Sequence, residues 1–263
     1  MAEITVRKMR FPFGDAIDLD RPDAELSIVL GHLALSLTMP YLEPYLIRTM
    51  KVAQREIAEP TLLADVRAFS QQESHHYRNH AVFNEDLRAH FGEPTTSRIR
   101  EIEAALDADY QRFTREKSLR FNTAYAEGFE AMTCSFALAG LEQGGFANTP
   151  GGELWDWHLA EEIEHRTVAF DVYHRLGGGY LHRIVFGTWA QFHYVSYIVR
   201  FANCMAKALG RRLVLSRDPV LLSSARRYAG TWSPRYDPKR IKIPKGLDEL
   251  LLEFSRRAAS PRT

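Results

Sequence analysis

The stretch Trp155 to Asp171, WDWHLAEEIEHRTVAFD, constrains this chain more than any other. A helix advances about 100° per residue, so His158, Glu162 and His165, at i, i+4 and i+7, fall on one stripe. Three side chains able to bind a metal therefore share a face. A shorter counterpart, QESHHYRNH from Gln72 to His80, sets Glu73, His76 and His80 at i, i+3 and i+7. Two Glu-x-x-His turns on separate helices make half of a dinuclear carboxylate site in a helical bundle. The other half is one Glu from each of two further helices.

Glu43 and Glu130 supply that half. Glu43 lies 30 residues before Glu73, and Glu130 lies 32 before Glu162, so a Glu helix followed by a Glu-x-x-His helix occurs twice. The helical neighbours of Glu43, namely Met39, Leu46, Ile47 and Met50, are apolar and turn its carboxylate inward. Beside Glu130, the residues Ala126, Thr133, Cys134 and Ala137 are small and leave room, and Glu127 is an alternative to Glu130. The predicted metal ligands are Glu43, Glu73, His76, Glu130, His158, Glu162 and His165. His80 stands between a ligand and a support for one, while Glu161, Glu164 and Asp171 are placed to orient histidines. Such a set suits two iron ions, with manganese or zinc as alternatives. Four ionised carboxylates offset two divalent ions, whereas burying them without metal is costly.

The rest of the chain reads as helices around that set. Residues 1–23, with Pro12, Gly14 and Pro22, form an irregular N-terminal segment. Residues 24–209 form the metal-binding bundle, with helices over about 24–56, 61–91 and 97–141, one through the opening stretch to Gly177, and a last one over 180–209. Pro40 and Pro44 should break or kink the first helix, and the third should bend near Lys117 to Asn122. Residues 210–263, basic and rich in proline, read as an extension of short helices and loops packed on the bundle. The expected fold is all-α: a ferritin-like helical bundle with additional C-terminal helices.

Bulk properties narrow the function classes. With 34 basic and 33 acidic residues among 263, there is no global field to favour nucleic acid. Cys134 and Cys204 are too few for a disulfide framework, which points to a reducing cytoplasm. The N-terminus lacks the apolar core of a signal peptide, and the apolar run from Ile184 to Val199 is too short to span a bilayer. The sequence leaves homodimer formation open.

The segments TMPYLEPYLIRTM, FSQQESHHYRNH, YAEGFEAMT and WDWHLAEEIEHRTVAFDVY resemble the family of predicted metal-dependent hydrolases over about residues 25–200. The resemblance places Glu43, Glu73, His76, Glu130, Glu162 and His165 at that family's metal positions. It departs at Ala131, where members usually carry His. The His-x-x-x-Glu-x-x-His helix is also similar to that of dinuclear iron N-oxygenases acting on aryl amines, in which an extra histidine adds a seventh ligand; His158 fills that slot.

The expected function is a di-iron enzyme that activates dioxygen to oxidise a small, partly apolar molecule, fed by an external electron donor. The fifth helix would contribute pocket residues such as Trp189, Phe192 and Tyr197. A dinuclear metal-dependent hydrolase using a bridging hydroxide is the alternative, followed by a non-catalytic iron-binding ferritin-like protein.

Overall fold

A computed structural model of the chain describes residues 4–14, 17–214 and 217–260. Helix α1 runs unbroken from Asp23 to Ala53, through both prolines that were expected to interrupt it. Pro40 has no N–H to offer the Ser36 carbonyl one turn back. Asn84 Nδ2 on the next helix donates to that carbonyl instead, at 2.8 Å. A tertiary hydrogen bond thus replaces the missing one, and Glu43 stays in register with the core.

Helix α2 (Pro60–Phe91) starts on a proline, which suits the first turn, and ends at Gly92, whose φ of 60° favours glycine. The third helical region divides within the expected break, into α3 (Thr95–Glu116) and α4 (Leu119–Glu142). Ser118 marks the restart by accepting the Phe121 N–H. The helix expected through to Gly177 is two: α5 (Gly152–Glu164) and α6 (Val168–Arg175). His165 sits at the interruption with φ −95° and ψ 9°, outside helical geometry but still bonded through its N–H to the Glu161 carbonyl. A long α7 (Tyr180–Ala208) follows, then α8 (Pro219–Gly230) and α9 (Leu247–Ala259). No strand occurs among the described residues, and the fold is an all-α bundle.

Helix α1 packs against α2, α3, α4 and α7, while α4 also meets α5, α6 and α8. Part of the small-residue face of α4 is used in this packing, because a Cβ added to Gly128 would lie 2.3 Å from the Gly187 Cα on α7. Helix α1 with its following turn, rather than the Ile184–Val199 run, is long and apolar enough to cross a membrane by length and composition. Its Leu30, Leu33, Leu37, Leu42 and Leu46 are all fully buried among the other helices, the pattern of a core helix. The irregular N-terminal segment is not a loose arm: Arg7, Met9, Ile17 and Leu19 are buried.

Candidate metal centre

Helices α1, α2, α4 and α5 each send glutamate or histidine to one buried point. Ligand atoms of Glu43, His76 and His158 lie within 4.8 Å of one another, and so do those of Glu73, Glu130, Glu162 and His165. These are the seven residues the sequence singles out, and none is more than 4% exposed. Glu162 faces both groups. Its Oε1 is 3.0 Å from His158 Nε2, and its Oε2 is 3.2 Å from His165 Nε2. Glu73 Oε1 is likewise shared, 3.4 Å from His76 Nδ1 and 3.5 Å from His165 Nε2. Glu43 approaches only His158, at 3.6 Å, and Glu130 only His165, at 3.2 Å, among the histidines. Two donors about 2.1 Å from one ion and at right angles are about 3 Å apart, so these spacings match the cis positions around a cation.

The surroundings of each imidazole decide which nitrogen is free. Asn84 Nδ2 is committed to the Ser36 carbonyl, so its Oδ1 accepts the Ser36 hydroxyl at 2.7 Å. Ser36 Oγ then accepts from His80 Nδ1 at 2.8 Å, leaving His80 Nε2 to accept from His158 Nδ1 at 2.9 Å. The lone pair of His158 is thereby assigned to Nε2, facing Glu162 and Glu43. The amide of Gln72 is fixed in the same manner, since its Nε2 donates to Glu164 Oε2 at 2.6 Å and to the Thr5 carbonyl at 3.0 Å. Its Oε1 therefore accepts from His165 Nδ1 at 2.9 Å. His76 Nε2 donates its N–H to Glu161 Oε2 at 2.9 Å, and its Nδ1 has no hydrogen-bond partner. All three rings turn N–H outward and a lone pair inward.

Inward-facing lone pairs beside carboxylates repel unless a cation lies between them. Both oxygens of Glu43 and one each of Glu73 and Glu130 are also buried without a hydrogen-bond partner. Burial, reinforced by the neighbouring carboxylates, pushes Glu43 and Glu130 well above the usual carboxylate range and Glu73 to about 8. Burial would also raise Glu162, but His165 and His158 hold it below its ordinary value. Against the burial penalty, Glu162 and Glu130 raise His165 well above a normal histidine. Without metal, protons on these groups take the place of the missing positive charge. The donor set fits metal ions, for which His76, His158, His165 and the four glutamates are the available holders.

A layer of supports surrounds these donors. Arg7, from the N-terminal segment, reaches Glu161 Oε1 at 3.0 Å and Glu164 Oε2 at 2.9 Å, and its Nε contacts the Leu251 carbonyl and Ser255 Oγ on α9. The path from His76 through Glu161, Arg7, Glu164 and Gln72 to His165 is continuous. Glu161 and Glu164 thus orient histidines as their placement suggests, whereas Asp171 pairs with Lys239 at 2.9 Å and takes no part. His80 supports His158 from outside both groups. Glu127 also lies outside them, bound to Arg183 at 3.0 Å. Arg7, Ser36 and Asn84 are absent from the sequence-based set, because a lone Arg in an irregular segment and polar residues on an apolar helix give no periodic signal. Gln72 had one: it precedes Glu73 in the Gln-Glu-x-x-His stretch.

The fifth-helix residues expected beside the substrate face elsewhere. Phe192 is 74% exposed, Trp189 stacks on His193, and Tyr197 donates to Asp109 at 2.5 Å. The stripe of α7 turned toward α1 includes Tyr194, whose hydroxyl meets Thr38 Oγ1 at 3.0 Å. Cys134 is a buried thiol, held up at about 12 chiefly by burial, and belongs to neither group.

No curated protein and no solved structure matches this chain. The likeness to dinuclear iron N-oxygenases therefore has no support from these comparisons. One family model does match, over residues 5–242, reaching beyond the expected 25–200 to include Arg7, α8 and most of the segment that follows it. This chain belongs to the family of predicted metal-dependent hydrolases.

Proposed function

We propose that this chain is a two-metal enzyme acting on a small organic substrate. The observation that carries this reading is the orientation of the three histidines, each held by buried partners with its lone pair directed at four carboxylates. The family description supports hydrolysis as the reaction. Two divalent ions would there supply Lewis acidity and a water activated for attack at neutral pH. The chain's own part would be to hold the ions through these side chains, Glu162 and Glu73 lying near histidines of both groups and Glu43 and Glu130 near one each, and to keep bulk water out through burial.

Oxidation by dioxygen is the second reading, favoured by the donor set itself. Four Glu and three His drawn from a helical bundle suit iron, and shared carboxylates tolerate a change in its charge. Electrons would then come from a separate donor. Turnover of an ester and amide panel and of an aryl amine panel, with and without oxygen and a reductant, separates the two. Hydrolysis that proceeds equally under nitrogen supports the first reading; product formed only with oxygen and reductant replaces it with the second.

A further inference from the structure

Beside the candidate centre lies a cavity of about 260 Å³, just below the ~300–1,000 Å³ usual for pockets that take drug-sized ligands. Its relation to the centre follows from helical register. Lining residue Met39 is one turn before Glu43 on α1, Thr133 one turn after Glu130 on α4, and Leu159 one turn before Glu162 on α5. Residues three or four apart share a helix face, so the cavity sits one turn, about 5 Å, along three helices from the donors. The directions agree as well: the cavity lies N-terminal to the donor on α1 and α5 and C-terminal on α4, placing all three residues at one end of the centre.

Depth and chemistry of the cavity are graded. Met39, Thr133 and Leu159 at its floor are buried, whereas Val195 of α7 and Leu221 of α8 at its rim are about half exposed, at 48% and 49%. A path thus leads from solvent, between α7 and α8, toward the donors. No charged side chain lines it, and most of its polar groups are already bonded, Tyr194 to Thr38 and three others to backbone, while Trp155 Nε1 and Gln191 Oε1 have no hydrogen-bond partner. Thr133 Oγ1 donates to the Phe129 carbonyl, Ser224 Oγ to that of Val220, and Gln191 Nε2 to that of Gly128. An ionised group placed there would lose its hydration with no opposite charge to replace it. A larger cavity, about 470 Å³, has Arg7, Asp65, Glu164 and Arg166 in its lining, and the Arg7–Glu161–Glu164 bonds stand between it and the donors.

We infer that the apolar cavity between α1, α4, α5, α7 and α8 is the substrate site, and that it takes the uncharged aryl or alkyl part of a small molecule whose reacting polar group faces Glu43, Glu130 and Glu162. This rests on the two-metal reading for the reacting end alone. The cavity itself is tested by binding.

The test uses 4-fluorotoluene and 4-fluorobenzoate as fluorine NMR probes, titrated into the full chain as purified and after cobalt substitution, with metal counted in each sample. The expected result is binding of the neutral probe at least tenfold tighter than the anion, with fluorine relaxation enhanced by cobalt. Ala225→Trp and Val195→Glu, both at the exposed rim, should each weaken the neutral probe at least tenfold without changing metal content. Equal binding of the anion, or neutral binding unchanged in both variants, overturns the assignment, as does full metal loading with no probe bound. Probe binding that responds to the variants in a chain that takes up no metal upholds the cavity and removes the two-metal reading instead.

Discussion

Behind His76 and His165 the candidate centre is backed by Glu161, Arg7, Glu164 and Gln72, which bond one another and leave little of themselves to solvent. Across Met39, Thr133 and Leu159 it meets an uncharged wall instead.

 

The polar wall fixes where His76 and His165 point, since each has its outward N–H taken there. The apolar wall fixes nothing and leaves space. One side holds the donors and the other admits what reacts with them, so substitutions on the two sides should separate metal binding from ligand binding.

The largest effect is expected at the residue both groups share. Glu162→Ala removes a carboxylate that faces His158 with one oxygen and His165 with the other. It should lose at least one metal ion per chain and all activity, by elemental analysis and turnover. Next comes the polar wall. Arg7→Met leaves Glu161 and Glu164 buried without their guanidinium, at a cost of about 3–5 kcal/mol in unfolding free energy. Metal affinity should fall about 10–100-fold through the misplaced histidines. Denaturant melts and metal titrations check both, and an Arg7→Met protein with wild-type metal affinity breaks the claim that this wall orients the donors.

Acidity sharpens the same contrast. Burial raises Glu73 to about 8, so the metal-free folded state keeps a proton that the unfolded chain has shed above its ordinary value of 4.5. That contribution to stability is fully present below pH 4.5 and is lost as pH rises through about 8. Metal must displace the proton, so affinity should rise at least tenfold between pH 6 and pH 8, while binding of a neutral probe in the apolar cavity should stay flat. A smaller effect is expected from Ser36→Ala, which removes the group that takes the His80 proton. It should weaken metal about tenfold with the fold intact, measured by titration and circular dichroism. The smallest is Phe192→Ser on the exposed face of α7, with stability, metal content and probe binding all unchanged to within about 0.5 kcal/mol.

What could be read from the chain alone follows from periodicity. Five of the seven residues, Glu73 with His76 and His158 with Glu162 and His165, recur at helical spacing, Glu43 and Glu130 stand out by the repeated layout, and the structure brings those seven together. The helix ends at Gly92 and Lys117 carry local signals of glycine and broken pattern, and both were legible. Pro40 was misleading because its lost hydrogen bond is replaced by Asn84, a partner 44 residues away. The break at His165 has no glycine or proline to announce it. Arg7 was invisible for a different reason: its partners lie on α5 and α9, and only the folded chain brings them to it. The facing of α7 was misjudged because aromatic residues occur all around it, from the exposed Phe192 to the buried Tyr194 and Tyr197.

The central claim is that the three inward-facing histidines and four buried glutamates exist to hold metal. The most direct measurement is the metal content per chain of protein purified without chelator, with Glu162→Ala prepared in parallel. The account predicts about two ions in the wild-type chain and a loss of one or both in the variant. A wild-type chain that remains metal-free after reconstitution with iron, manganese and zinc, or a variant that loads as fully as the wild type, would contradict it.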